Sequence, residues 1–224
     1  MDEKLLSVII PAYNAEKYLE EAVSSVRAQH WEGETEILVI NDGSTDATAE
    51  VGGKLGCFVL NKERGGAASA RNTGIRVSGG AWMLLLDADD MLCPDALKSL
   101  YQPFTEKPET AAVFGRARDF ISPELASEQQ NVLQTRDGSY RGILPGCSLI
   151  RRKVFDQIGL FNESLQSGET VEWMMKLRSS GLETVMIETI TLNRRIHLTN
   201  TGRVDRRQEM RNYAALLRKR MNMP

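Results

Sequence analysis

The sequence predicts an α/β fold, a single domain in which a mostly parallel central sheet is flanked by helices. Two observations indicate this fold. Apolar segments of strand length alternate with segments of helical character over residues 5–90, and every apolar segment ends on polar or glycine-rich residues. Such alternation produces parallel sheets that helices cover on both faces. A chain of 224 residues, of which 42% are hydrophobic, is long enough for one complete core.

Short apolar runs bounded by turn residues are predicted as strands. They lie at residues 5–10, 36–40, 57–60 and 81–86. Helices are predicted between them, at residues 14–26, 45–51 and 67–77. In the first helix Leu19, Val23 and Val26 recur at helical spacing, and Asn14 is the expected helix cap. The small residues of the third helix allow it to pack closely on a sheet.

Polar or glycine-rich residues follow all four predicted strands. They are Tyr13-Asn14, Asp42-Gly43, Gly65-Gly66 and Asp87-Ala88-Asp89. Ligands of open α/β sheets bind at the carboxyl ends of the strands. If the strands run parallel, these residues meet at one edge, so the sequence predicts a ligand site there.

The last of these strands stops on three carboxylates, Asp87, Asp89 and Asp90. Side chains alternate in an extended chain, so Asp87 and Asp89 are expected on one face while Asp90 points elsewhere. One interpretation is an acidic turn that closes the strand. The other is a site for Mg²⁺ or Mn²⁺, which bind one or two protein carboxylates and complete their shell with water and phosphate oxygens.

Several functional classes are excluded. The first strand is followed by Pro11-Ala12-Tyr13-Asn14, so the glycine-rich loops of dinucleotide-binding domains, P-loop proteins and sugar-phosphate nucleotidyltransferases are missing. A net charge of −2 argues against a nucleic-acid partner.

The cysteines indicate the compartment: three separated cysteines without a C-x-x-C pair suit a reducing one. Because no apolar stretch approaches the length of a membrane span, we expect a cytoplasmic protein without a spanning anchor.

Four segments together resemble the family 2 glycosyltransferases of GT-A fold. They are residues 7–14 (SVIIPAYN), 39–46 (VINDGSTD), 70–75 (ARNTGI) and 86–90 (LDADD). The resemblance continues through residues 150–163 and 195–200. It implies a Rossmann-like GT-A domain over residues 1–203, with a nucleotide-sugar half at 1–115 and an acceptor-side half at 116–203. It also implies inverting, metal-dependent transfer of a sugar from a nucleotide donor, with a UDP-sugar the expected one.

The resemblance implies a role for each motif residue. Residues 11–14 would line the nucleobase pocket, and Asp42 would accept a hydrogen bond from the base. The remaining expected nucleotide contacts are Gly65, Gly66, Arg71, Asp87 and Ala88. The expected metal ligands are Asp89 and Asp87 of the DXD motif, with His197 as a third ligand.

Each of these residues also has a purely structural interpretation. Asp42 could cap the following turn, Arg71 could be a solvated helix residue, and Gly65-Gly66 could be a plain loop. A lone histidine such as His197 is more often a structural or surface residue than a ligand. The structural interpretations are much less plausible jointly than singly, because all the motif residues would have to match by coincidence.

The pattern departs from the family at the general base. Members of this family usually carry an aspartate after a glutamate at a helix start, and here Glu169 is followed by Thr170. A threonine hydroxyl is not basic near pH 7, and general-base assistance contributes roughly 10²- to 10⁴-fold in rate. Three interpretations remain: Glu169 or Glu172 is the base, the acceptor supplies its own activation, or the protein is a catalytically weakened nucleotide-sugar binder.

The acceptor side carries less information. Residues 117–145 lack a clean period and are expected to form a long loop that helps bind the acceptor. The acceptor itself is a saccharide, a lipid-linked or a peptide substrate, with cell-envelope polysaccharide as the expected context.

Residues 204–224 are predicted to form a basic amphipathic helix. It would dock on its own domain, contact an anionic membrane peripherally, or bind a partner helix. A homodimer is a further expectation. The basic residues of this segment, together with the residue directly before it, are Arg203, Arg206, Arg207, Arg211, Arg218, Lys219 and Arg220.

Overall fold

The computed structural model describes residues 4–141, 145–165 and 167–200. Its strands are β1 (Leu6–Ala12), β2 (Thr35–Asp42), β3 (Phe58–Lys62), β4 (Trp82–Leu85), β5 (Met91–Leu92), β6 (Ala112–Ile121), β7 (Ser139–Arg141), β8 (Ser148–Arg151) and β9 (Thr184–Ile196). Its helices are α1 (Leu19–Arg27), α2 (Thr48–Lys54), α3 (Gly66–Val77), α4 (Ala96–Glu106), α5 (Ser127–Asn131), α6 (Arg152–Ile158) and α7 (Glu169–Ser179).

One sheet contains all nine strands. Strands β3, β2, β1 and β4 lie side by side in that order, and all three pairings between them are parallel. The sheet continues through β8, β6, β9 and β5, where β6 and β9 pair in parallel and the other pairings are antiparallel. Strand β7 pairs with β6 on the same side as β8. The prediction of an α/β fold with helices flanking a central sheet is confirmed.

Helices cover both faces of this sheet. Alternate residues of β1 point to opposite faces, so Val8 and Ile10 join the apolar cluster that contains α1 and α4. Ile9, between them, joins the second cluster, which contains residues of α3, α6 and α7. A strand buried on both faces is largely apolar, and this explains why β1, β2 and β4 were recognisable from their apolar segments.

The predicted helix cap at Asn14 is wrong. Helix α1 begins at Leu19, with Tyr18 as the residue before it. Asn14 instead takes a left-handed backbone conformation with φ of 50°, which asparagine tolerates better than most residues. Its side-chain oxygen accepts a hydrogen bond from the backbone N–H of Thr45 at 2.8 Å. Asn14 therefore joins the loop after β1 to the loop after β2.

The long loop predicted at residues 117–145 is also wrong in part. Strand β6 extends to Ile121, and β7 occupies the other end of this segment. Strand β6 was not predicted in full because Arg116 and Arg118 interrupt its apolar residues. Both arginines find partners on neighbouring strands: Arg116 bonds to Ser139 and Arg118 to Asn193. Cross-strand polar pairs of this kind leave no periodic signal in a single segment.

The basic helix predicted at 204–224 lies outside the described residues. Within those residues, none of the helices has both the length and the apolar content that a membrane crossing requires.

Candidate active site

The ends of β1, β2 and β4 and the start of α3 meet at the carboxyl edge of the parallel strands, as the sequence predicts. The backbone N–H of Asn14 donates to Ser44 Oγ at 3.0 Å, which joins the first two ends. Arg71 of α3 reaches the Asp87 carboxylate after β4. The motif segments are therefore neighbours in space, although the first and the last are more than 70 residues apart in the chain.

Asp42 is 4% exposed and holds the start of α3. Its Oδ1 accepts a hydrogen bond from the Gly65 N–H at 2.9 Å, and its Oδ2 accepts one from the Gly66 N–H at 2.7 Å. The ammonium of Lys62 lies 2.6 Å from Oδ1. Gly66 has a φ of 86°, a left-handed conformation that favours glycine. A carboxylate has about four lone-pair sites, so Asp42 keeps one for a further donor.

Of the four residues predicted to line the nucleobase pocket, Tyr13 and Asn14 have exposed side chains. Pro11 and Ala12 belong to β1 and pair with β2, and Ala12 is 1% exposed. The Tyr13 ring lies 3.9 Å from the guanidinium carbon of Arg64, which also donates to the Tyr13 hydroxyl at 2.9 Å. No motif in the sequence points to Arg64.

Arg71 is buried and bridges two carboxylates. Its Nη2 donates to Asp87 Oδ1 and its Nη1 to Glu169 Oε1, both at 2.7 Å. Burial by itself lowers the pKa of the Arg71 guanidinium, but the charges of Asp87 and Glu169 outweigh it and raise this pKa above its usual value. The solvated-helix interpretation of Arg71 is wrong, because its side chain is only 5% exposed. Arg71 connects the end of β4 to the start of α7.

Asp89 lies in a second cluster, formed with residues beyond β9. Its Oδ2 is 2.9 Å from Nε2 of His197 and accepts a hydrogen bond from Asn200 Nδ2 at 3.1 Å. His197 is 7% exposed, so the interpretation as a surface residue is wrong. Its imidazole is tilted against the Tyr18 ring, with 4.8 Å between the ring centroids. Tyr18 and Asn200 belong to the site although neither was predicted, and only Asn200 lies in a recognised motif.

The third carboxylate, Asp90, bonds to the backbone of β9, whereas Asp89 contacts the side chains of His197 and Asn200. Asp90 is 4% exposed, and its Oδ1 accepts a hydrogen bond from the Arg195 backbone N–H at 2.9 Å. Burial, together with the charges of Asp89 and Asp87, raises the pKa of the Asp90 carboxyl well above its usual range. Ala88, between the acids, is 6% exposed and packs in the core, so its side chain is not available to a nucleotide.

The donor atoms of this edge suit a divalent ion. Among the described residues, no group of three or more His, Cys, Asp or Glu side chains is arranged as a complete metal site. Mg²⁺ and Mn²⁺ do not require such a cage, because they commonly bind one or two protein ligands and take the others from phosphate and water. Asp89 and His197 present an oxygen and a nitrogen next to each other, whereas Asp87 is engaged by Arg71.

The candidate bases lie at the start of α7. Glu169 Oε1 accepts a hydrogen bond from Arg71 Nη1 at 2.7 Å and another from the Thr170 hydroxyl at 3.4 Å. Glu172 lies one turn further along the helix, where its Oε1 is 3.1 Å from the ammonium of Lys176. Its Oε2 is buried without a hydrogen-bond partner among the described residues. Glu169 is thus connected to Asp87 through Arg71, and Glu172 is not among the residues that Arg71 bridges.

Several known proteins are similar to this chain in sequence or in fold. The model of the family described as Glycosyl transferase family 2 matches residues 7–159. Glycosyltransferase GlyG of Streptococcus pneumoniae is 30% identical over 186 residues, which cover 71% of this chain and 60% of GlyG. This chain therefore spans about three fifths of that relative's length.

Two solved structures have a similar fold. TarS of S. aureus in complex with UDP-GlcNAc gives a TM-score of 0.70 at 22% identity, covering 87% of this chain and 59% of TarS. The mannosyltransferase PcManGT from Pyrobaculum calidifontis, in complex with GDP-Man and Mn²⁺, gives 0.72 at 16% identity, covering 98% of this chain and 64% of PcManGT. These likenesses confirm the GT-A fold. The family match covers all four strand-end motifs and well over half of the sequence, and the chain therefore belongs to glycosyl transferase family 2.

Proposed function

We propose that this chain transfers a sugar from a nucleoside diphosphate donor to an acceptor hydroxyl, with inversion and with the help of Mn²⁺ or Mg²⁺. The observation that carries the proposal is the pairing of Asp89 with His197 at the carboxyl edge of the parallel strands, beside the Arg71–Asp87 ion pair. The similar structures support the donor class, since TarS is in complex with UDP-GlcNAc and PcManGT with GDP-Man. A UDP-sugar remains the expected donor, and GDP-sugars are the alternative.

In this proposal Asp89 and His197 would hold the ion, whose bound charge stabilises the negative charge that develops on the leaving diphosphate. Arg71 holds the Asp87 carboxylate in place at the end of β4. Asp42 fixes the Gly65-Gly66 turn, whose backbone would approach the nucleoside without a side chain in between. The two clusters would thus position the donor from both sides of the β4 end.

The first experiment titrates UDP, GDP and dTDP into the protein by calorimetry, with and without Mn²⁺, and uses ADP as a control. We expect one of the three to bind at least ten times more tightly with Mn²⁺, because the ion offsets the repulsion between the diphosphate and the nearby carboxylates. Equal binding of all four nucleotides, or no binding, would contradict the proposed donor site.

The acid–base step depends on α7. We propose Glu169 ahead of Glu172 as the base, since Glu169 contacts Arg71 at the donor side whereas Glu172 is paired with Lys176. The second candidate function is a nucleotide-sugar binder with weak transfer. Thr170 favours it, because its hydroxyl cannot take a proton from an acceptor near pH 7.

Substitution Thr170→Asp separates these two functions. If the base has been lost, the new carboxylate should raise the rate of transfer, or of donor hydrolysis, by about 10²-fold or more. An aspartate in the first turn of a helix is electrostatically favourable, so the variant should fold. The rates are measured by release of the nucleoside diphosphate. Thr170→Asn is the matched control, because asparagine has the same size as aspartate but no group that can accept the proton.

An unchanged rate in Thr170→Asp, with a loss of at least tenfold in Glu169→Gln, would assign the base to Glu169. A gain that Thr170→Asn reproduces would contradict the lost-base explanation, since asparagine cannot accept the proton.

A further inference from the structure

Arg195 is the most completely buried charged side chain next to the candidate active site, and no role follows for it from the donor site itself. Its side chain is 1% exposed. Its Nε donates to the carbonyl oxygen of Asp89 at 3.0 Å, and its Nη2 donates to Glu21 Oε2 at 2.8 Å. Nη1 donates to Ser122 Oγ at 3.1 Å. The guanidinium therefore connects the end of β9 to α1, to the turn after β4 and to the end of β6.

Two aromatic rings fix the plane of this guanidinium. Its central carbon lies 4.8 Å from the ring centroid of Tyr18 and 4.8 Å from that of Phe120. Tyr18 also contacts the imidazole of His197. Stacking on aromatic rings and a fork of directed donors are properties of arginine that lysine lacks.

The backbone of Arg195 contacts the same turn. Its N–H donates to Asp90 Oδ1 at 2.9 Å, and its carbonyl accepts from Asn200 Nδ2 at 3.2 Å. Asn200 bonds in turn to Asp89 Oδ2. Arg195 is thus joined to Asp89 both directly, through the Asp89 carbonyl, and through Asn200. The bonds that Arg195 itself makes use neither Oδ2 of Asp89 nor Nε2 of His197, whereas the Asn200 bond shares that Oδ2 with His197.

We propose that Arg195 is a positioning residue that holds Asp89 and His197 in register before the metal ion and donor arrive. This inference rests on the proposed function. Ligands held in place by buried neighbours do not have to reorganise on binding, and removal of such neighbours typically weakens metal binding by roughly 10- to 100-fold. Arg195 does this by fixing the Asp89 backbone and the strand end that carries His197.

The test is substitution Arg195→Lys, which keeps the charge but cannot span Asp89, Ser122 and Glu21 at once. Mn²⁺ affinity is measured by electron paramagnetic resonance of the free ion, in parallel series with saturating UDP and with GDP. We expect the dissociation constant for Mn²⁺ to rise at least tenfold. The affinity for the same nucleotide without metal should stay within about twofold, because the contacts of Asp42 are untouched.

Arg152→Lys is the matched control for lost stability. Arg152 also donates to several groups, the carbonyl oxygens of Ile75, Ser78 and Gly80 and the hydroxyl of Ser78. These lie before the amino end of β4, away from the Asp89 cluster. Both variants should melt at a lower temperature than the wild type, but only Arg195→Lys should lose Mn²⁺ affinity. If Arg195→Lys fails to fold, Glu21→Gln replaces it, because Glu21 is half exposed and removal of its charge loosens the same guanidinium.

The outcomes are distinct. Unchanged Mn²⁺ affinity in Arg195→Lys, or an equal loss in Arg152→Lys, overturns the positioning role while leaving the proposed function intact. A wild-type protein that binds no Mn²⁺ with either nucleotide overturns the metal-dependent function, and the inference with it.

Discussion

Substitution Asp89→Asn is expected to lower the rate of sugar transfer by about 10³-fold and to abolish the effect of Mn²⁺ on nucleotide binding. The carboxylate charge is lost while the size of the side chain is kept. A bound ion contributes several kcal/mol to the stabilisation of a leaving diphosphate, and each 1.4 kcal/mol is about tenfold in rate. The measurements are the turnover rate and the calorimetric titration of the nucleoside diphosphate with and without Mn²⁺.

Asp95→Asn is the matched control for this substitution. Asp95 is exposed and lies only six residues further along the chain, before α4. Its backbone is left-handed with φ of 56°, which asparagine also adopts readily. It should therefore behave as the wild type in both measurements. If Asp89→Asn still binds the nucleotide more tightly with Mn²⁺, the assignment of Asp89 as a metal ligand is wrong.

Substitution Arg71→Met should lower the free energy of unfolding by about 3 kcal/mol, because it leaves Asp87 and Glu169 without their shared cation. We take the low end of the range for broken buried ion pairs, since the Asp87 side chain is 36% exposed and water can solvate it. Donor binding should be lost as well, because Asp87 is then free to turn away. Urea denaturation gives the change in stability.

Two controls make this prediction specific. Arg76→Met removes an arginine from the same helix, but Arg76 is 56% exposed and its bond to Glu163 is 3.3 Å long, so the loss should be below about 1 kcal/mol. Glu169→Gln, combined with Arg71→Met, should destabilise less than the sum of the two single changes, because both remove the same ion pair. Additive losses would show that Arg71 and Glu169 are not energetically coupled.

The first 90 residues, which carry the four strand-end motifs, were predictable because their information is local. Each of β1, β2 and β4 is an apolar run that ends on its own polar residues, so both the strand and its functional end are present in a single segment. The parallel arrangement then brings Asp42, Gly65 and Asp89 to one edge without further information. The family motifs name the same residues. Their individual roles in binding stay predictions that the substitutions above test.

The chain beyond residue 110 was less predictable, and β6 shows the reason. Its arginines, Arg116 and Arg118, are typical of a loop in the sequence. In the structure they donate hydrogen bonds to Ser139 and Asn193, which belong to other strands. The start of α7 is a similar case. The sequence locates Thr170 at the usual position of the base, but it does not indicate that Glu169 is tied to Arg71, which is 98 residues earlier in the chain.

By itself, therefore, the sequence determined the fold class, the parallel strands and the residues that gather at their carboxyl ends. Only the tertiary structure decided which of these residues are partners: Arg71 with Asp87 and Glu169, and Asp89 with His197 and Asn200. The physical reason is the range of the interactions. Strand and helix patterns arise from neighbours a few residues apart, whereas the bond between Asp89 and Asn200 joins residues 111 positions apart, a distance over which a single sequence carries no periodic signal.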